Sequence, residues 1–259
     1  MERDVAYLPE ARPEKADLYF PPNSASAKPW PAVIIVHGGS FKRGDKADPR
    51  ELNIAGTLAG GGFVVMSINY QLMTEAKPDI WPQNLYDCKT AVRWLRKNAA
   101  RLNLDPDHVG AIGESAGGHL VVLLAVTGPE AGLDPAGPYG EFSCRIQAAV
   151  DMYAPIRMTT DRPMLGKNQS EAPELYRQAR PTTHLDKSAP PFLIFHGTAD
   201  KNVSPDHSTY WAEQLTKAGI DHQLVLVEGA GHSFDLQPPQ RDLRPLVLSF
   251  LHQYLRPAN

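Results

Sequence analysis

The chain has 259 residues, with 26 basic and 29 acidic side chains and a formal net charge of -3. That balance gives no electrostatic argument for nucleic acid or an anionic membrane as a partner, and no apolar run approaches the ~20 residues that a membrane-spanning helix needs. The length suits one large α/β domain with a sizeable core, read here as spanning 1–259.

Met1-Glu2-Arg3-Asp4 has no apolar stretch of the kind a signal peptide carries, which fits a cytoplasmic protein or a chain starting at the mature end of a secreted one. Residues 1–31 are rich in proline, and Asp17-Leu18-Tyr19-Phe20 is the one strand-like piece. It predicts an edge hairpin that Pro21-Pro22-Asn23-Ser24 stops. Ala32 to Val36 is a continuous apolar run, as in a strand covered on both faces. It leads into His37-Gly38-Gly39-Ser40-Phe41. A helix is predicted over about 49–59 and a buried strand at Phe63 to Met66.

Asn84 to Ala100 predicts a helix, with Leu85, Cys88, Ala91, Val92, Leu95 and Ala99 inward and Arg93, Arg96 and Lys97 outward. Trp81-Pro82 marks its start. Cys88 is thus expected as a buried free thiol, although a bridge to the distant Cys144 stays open. Val109 to Ile112 predicts a strand and His119 to Val126 a helix. Ile146 to Met152, Phe192 to Phe195 and Leu224 to Val227 predict further strands, and about 240–255 a closing helix. Between them, about 154–190 is irregular and is expected to lie as short helices over the top of the sheet. Alternating strands and helices imply a mainly parallel sheet flanked by helices on both faces.

Gly113-Glu114-Ser115-Ala116-Gly117 reads Gly-x-Ser-x-Gly between a strand and a helix, the setting of a nucleophile elbow. A serine hydroxyl needs a base, itself oriented by a carboxylate, and in such sheets these follow in the order Ser, acid, His. Asp200 comes just after the Phe192 strand and His232 just after the last one, in Gly-Ala-Gly-His. Asp206, Asp221 and Glu228 are less well placed to orient it. His196 is read as structural, and His119, His184, His207 and His222 lack a comparable setting. Backbone N–H groups of Gly38, Gly39 and Ala116 are the expected oxyanion donors, each worth ~100- to 1,000-fold in rate. Ser40 and Phe41 are the expected edge of a substrate pocket.

With these motifs the chain resembles α/β-hydrolases of the esterase/lipase group that carry His-Gly-Gly-x-aromatic, and within it the compact bacterial acetyl xylan/feruloyl esterase-like hydrolases. Ser67-Ile68-Asn69-Tyr70, Ala91 to Arg96, Gly113 to Leu120 and Gly197 to Asp200 carry the likeness. Two departures are Ser40 in place of a third glycine and Phe41 where tryptophan is common. The resemblance implies an α/β-hydrolase fold without a large cap domain and a serine carboxylic ester hydrolase for short-chain or aromatic acyl esters, such as acetyl or feruloyl esters of plant polysaccharides. It implies a small-molecule or carbohydrate ester as partner, no metal or organic cofactor, and a monomer or small homo-oligomer. An arylformamidase shares the same turn and triad. A non-catalytic binding protein of this fold would be expected to lack the histidine that His232 supplies.

Overall fold

A computed structural model describes residues 1–22, 28–134, 136–157 and 163–255. Eight strands form one sheet: β1 (Glu2–Val5), β2 (Ala16–Tyr19), β3 (Trp30–Val36), β4 (Val64–Ile68), β5 (Leu104–Glu114), β6 (Ala148–Met152), β7 (Phe192–Gly197) and β8 (His222–Val227). Their order is β1-β2-β4-β3-β5-β6-β7-β8. β1–β2 and β2–β4 pair antiparallel, and every pair from β4 to β8 is parallel. The helices are α1 (Pro49–Gly60), α2 (Gln83–Lys97), α3 (Ala99–Leu102), α4 (Ala116–Val126), α5 (Pro173–Gln178), α6 (Asp206–Ala218) and α7 (Arg244–Leu255).

Both sheet faces are covered, which is why the central strands read as unbroken apolar runs. Side chains alternate across a strand, so Val33 and Ile35 meet α1 and α7 on one face, among Ile54, Leu58, Val247 and Leu251. Ile34 and Val36 enter the other core with Leu85, Val92, Leu120 and Trp211. Each such fully buried branched side chain contributes roughly 1.5–3 kcal/mol. Among the described residues, no helix is long and apolar enough to cross a membrane.

Several sequence expectations need adjusting. β1 is charged and lacks alternation; it is a strand because it pairs with β2 at Glu2↔Leu18 and Val5↔Ala16. Of the Pro21–Ser24 stop, Asn23 and Ser24 lie outside the described residues. The predicted 84–100 helix breaks at Asn98 into α2 and α3. Arg93, expected outward, is buried: its Nε donates to Phe142 O at 3.0 Å and its Nη2 to Asp134 Oδ1 at 2.8 Å. The segment between α4 and β6 crosses that face and supplies both partners, so the 3.6-residue period misassigns it. Cys88 and Cys144 are free thiols, both buried. Within 154–190, α5 and two 3-10 turns (Pro163–Leu165 and Pro181–Thr183) are the described elements. Residues 158–162 of that stretch lie outside the described residues.

Candidate active site

Ser115 lies between the end of β5 and the start of α4, as the N-cap of that helix, with φ 52° and ψ −117°. Such a conformation costs a non-glycine residue on the order of 1–3 kcal/mol and persists only where its surroundings impose it. Here Ser115 N–H donates to Met152 O at 2.8 Å, and Ser115 O accepts His119 N–H at 3.1 Å. Gly117 presses against the carbonyl oxygen of Val36, where a Cβ would collide with backbone. Helix α4 therefore starts hard against β3, and Ser115 lines the cleft at the strand ends.

Asp200 and His232 follow the neighbouring strands β7 and β8. Backbone bonds stitch the two turns together: Ala199 N–H donates to Ala230 O at 3.0 Å, and Gly229 N–H to Thr198 Oγ1 at 2.9 Å. This places His232 Nδ1 2.6 Å from Asp200 Oδ2 and His232 Nε2 2.9 Å from Ser115 Oγ. Asp200 Oδ1 accepts the N–H groups of Asn202 at 2.8 Å and Val203 at 3.0 Å. Burial works against the Asp200 charge, but these N–H groups and His232 together hold its carboxyl below the usual range. An ionised Asp200 keeps the imidazole proton on Nδ1 and turns the Nε2 lone pair toward Ser115.

Two neighbours were not legible as site residues. His196 Nε2 lies 3.3 Å from Asp200 Oδ2 and 2.9 Å from Val203 O, and burial lowers its pKa. Tyr153 packs its ring on His232 (centroids 4.8 Å apart) and donates its hydroxyl to Phe234 O at 2.5 Å.

The turn after β3 is built from three successive positive φ angles, 102° at Gly39, 57° at Ser40 and 61° at Phe41. Gly39 relieves the tightest point, where a Cβ would strike the Arg43 carbonyl. His37 braces the turn by stacking on Tyr70 at 4.5 Å, and Tyr70 Oη donates to His37 O at 2.8 Å.

The Gly38 expectation is corrected here. Its N–H donates to Glu114 Oε1, so it is engaged in holding the turn and is not open to a ligand. The N–H groups of Gly39, Ser40 and Ala116 have no acceptor among the described residues, and all three residues line the cleft. Ala116 is at the first position of α4, where N–H groups have no partner within the helix.

Glu114 is buried beside Ser115 and needs partners for its charge. Arg50 supplies one: Nη2 donates to Glu114 Oε1 at 2.7 Å, while Nη1 reaches Ser233 O at 3.4 Å and Nε reaches Glu51 Oε1 at 3.4 Å. Burial pushes the Glu114 carboxyl up to about 8; Arg50 pulls the other way and Glu51 adds to the rise. The one sequence signal for this cluster was an acid just after the apolar Val109 to Ile112 run. Its partner lies 64 residues upstream.

The cleft holds about 1090 Å³, and its walls include Ser40, Phe41, Pro155, Met164, Asn202 and Val203. Ser40 and Phe41 thus sit at its edge. Pro155 and Met164 bring the irregular segment over one side, where Met164 O accepts the N–H of Ile80 at 3.2 Å. Among the described residues, no three His, Cys, Asp or Glu side chains converge to hold a metal ion. Chemically, the arrangement pairs a hydroxyl with a base at hydrogen-bond distance, next to unengaged N–H donors, in an open cleft.

A model of the BD-FAE family matches residues 16–215. The chain is 30% identical over 224 residues to the esterase LipC of Mycobacterium tuberculosis and 28% identical over 246 residues to LipQ of the same organism. Those matches cover 81% and 90% of this chain but only 54% and 57% of the two relatives, so the chain spans a little over half their length. Among solved structures it is similar to a truncated carbohydrate esterase from gut microbiota, at TM-score 0.86, 26% identity and coverage of 96% of this chain and 94% of that one. It is also similar to a thermophilic esterase of Thermogutta terrifontis with butyrate bound, at TM-score 0.82, 27% identity and coverage of 99% and 96%. That esterase is also known phosphorylated by paraoxon.

Proposed function

The chain belongs to the BD-FAE family and has the α/β-hydrolase fold of serine esterases, and from that premise we propose that it is a carboxylic ester hydrolase working through an acyl-enzyme. The observation that carries this reading is the unbroken relay from Ser115 Oγ to His232 Nε2 at 2.9 Å and from His232 Nδ1 to Asp200 Oδ2 at 2.6 Å, with Ser115 and His232 lining the cleft. Ser115 Oγ attacks the ester carbonyl carbon as His232 Nε2 takes its proton. The carbonyl oxygen gains a negative charge that the N–H groups of Gly39 and Ala116 receive, with Ser40 N–H beside them. His232 then returns the proton to the leaving alcohol. Water, deprotonated by the same nitrogen, releases the acid and restores Ser115. Asp200 stays ionised throughout and stabilises the imidazolium.

The substrates we propose are short-chain or aromatic acyl esters, with acetyl or feruloyl esters of plant polysaccharides as the leading class. The open cleft of about 1090 Å³ supports room for a bulky alcohol or sugar, and the likeness to a carbohydrate esterase supports the sugar. We read residues 1–259 as one domain. The testing experiment compares acetylated xylan, methyl ferulate and N-formylkynurenine at equal enzyme concentration. Turnover of either ester well above the formamide is expected. A formamide turned over faster than both esters would overturn the substrate reading in favour of an arylformamidase.

A further inference from the structure

Four cationic residues line the cleft, Lys42, Arg43, Arg50 and Lys201, against two acidic ones, Asp48 and Glu114. In a chain with more acidic than basic residues, that excess is local to the site. Arg50 is engaged by Glu114 at 2.7 Å and by Glu51 at 3.4 Å. Asp48 Oδ2 accepts the N–H of Asp45 at 3.0 Å, a bond that leaves its formal charge in place. Lys42, Arg43 and Lys201 are exposed and have no ion pair to any described residue, and they outnumber Asp48 three to one.

Their positions are not scattered. Lys42 and Arg43 follow directly on the turn that carries the Gly39 and Ser40 N–H groups, and both of their own N–H groups bond back to Gly39 O, at 3.1 and 3.2 Å. Lys201 follows Asp200 directly, on the turn after β7. The three residues thus flank the cleft on the turn that carries the Gly39 and Ser40 N–H groups and on the turn that carries Asp200, with Ser115 on the same cleft. A concave site lined by one sign of charge concentrates ligands of the opposite sign and speeds their encounter by roughly 10-fold or more at low salt.

Resting on the ester-hydrolase reading above, we propose that Lys42, Arg43 and Lys201 form an anion subsite, and that the enzyme selects esters carrying a carboxylate or similar negative group near the scissile bond. The anion can belong to the alcohol portion or to the acyl portion, and matched substrates separate the two. On the alcohol side the pair is 4-nitrophenyl acetate and its 3-carboxy derivative; on the acyl side it is 4-nitrophenyl benzoate and 4-nitrophenyl 4-carboxybenzoate, whose carboxylate cannot reach its own ester. Each kcat/KM is divided by the rate of hydroxide hydrolysis, which removes differences in intrinsic reactivity.

The expected result is a normalised preference of roughly 10-fold for the anionic member of at least one pair at low ionic strength. It should shrink markedly in about 0.5 M NaCl, where exposed charges are screened beyond a few ångströms. In the Lys42→Gln/Arg43→Gln/Lys201→Gln variant the anionic-to-neutral ratio should fall to about one. Equal turnover of both members in both pairs overturns the proposal, as does a preference that survives the triple substitution. Failure to hydrolyse any of the four esters is a different outcome: it sinks the ester-hydrolase reading on which the subsite rests.

Discussion

Glu114, the residue before Ser115, and Arg50, in the first turn of α1, lie 2.7 Å apart and join three parts of the site. Glu114 accepts the Gly38 N–H, so it fixes the turn that presents the Gly39 and Ser40 donors. Arg50 also reaches the carbonyl of Ser233, the residue after His232. Removing the Glu114 carboxyl leaves the buried Gly38 N–H and Arg50 Nη2 without that acceptor, at a cost of roughly 1–3 kcal/mol. Glu114→Ala is therefore expected to lower the thermal midpoint and to cut kcat by about 10- to 100-fold. Glu114→Gln keeps an acceptor for Gly38 and should retain most of the activity. Equal kcat in Glu114→Ala and wild type, measured on 4-nitrophenyl acetate, would contradict this role.

Asp151 on β6 is buried, and its Oδ2 has no hydrogen-bond partner among the described residues. Burial pushes its carboxyl up to about 7, against the pull of the Ala154 N–H. An ordinary aspartate ionises near pH ~3.9. Between those values the unfolded chain releases a proton that the native protein keeps, so this group makes stability fall as pH rises from about 4 to about 7. Asp151→Asn removes that contribution. Its thermal midpoint relative to wild type should improve steadily across the same window and level off near pH 8. Parallel midpoint-versus-pH curves for the two proteins would show that Asp151 does not titrate in this way.

Two glycines should respond in opposite directions. At Gly117 a Cβ meets the Val36 carbonyl, a backbone atom that cannot step aside. Gly117→Ala should destabilise by several kcal/mol, in the range of overpacked or strained core positions, or abolish folding. Gly56 on α1 has open space around its missing Cβ. Gly56→Ala should stabilise by about 0.5–1 kcal/mol through the higher helix propensity of alanine. Denaturant titration of both variants checks the signs.

Tyr153 holds two parts of the histidine loop, the His232 ring by packing and Phe234 O by its hydroxyl. Tyr153→Phe keeps the ring and loses one hydrogen bond, worth about 1 kcal/mol net, more if the buried carbonyl finds no new donor. A modest stability loss and a kcat within a few-fold of wild type are expected. Tyr153→Ala, which also frees the imidazole, should cost considerably more kcat than KM. A larger effect on KM than on kcat would indicate that Tyr153 contacts the substrate.

What the sequence made readable follows from local physics. Unbroken apolar runs such as Val33 to Val36 announce strands buried on both faces, and the strand-end placement of Ser115, Asp200 and His232 follows from chain order alone. Interactions between distant segments were not readable. No periodicity tells that Asp134 and Phe142 return to cover Arg93, nor that Arg50 on α1 reaches Glu114. The Gly38 error has the same origin: a glycine-rich turn shows that backbone donors are present, but which of them a distant carboxylate already occupies depends on tertiary contact.

The most direct measurement of the central claim is the rate of 4-nitrophenyl acetate hydrolysis by Ser115→Ala, read beside its thermal midpoint. Loss of a triad serine typically lowers kcat by ~10⁶-fold. The predicted result is hydrolysis indistinguishable from a buffer control, with a midpoint within a few degrees of wild type. Retained hydrolysis in a folded Ser115→Ala protein would contradict the assignment of Ser115 as the nucleophile.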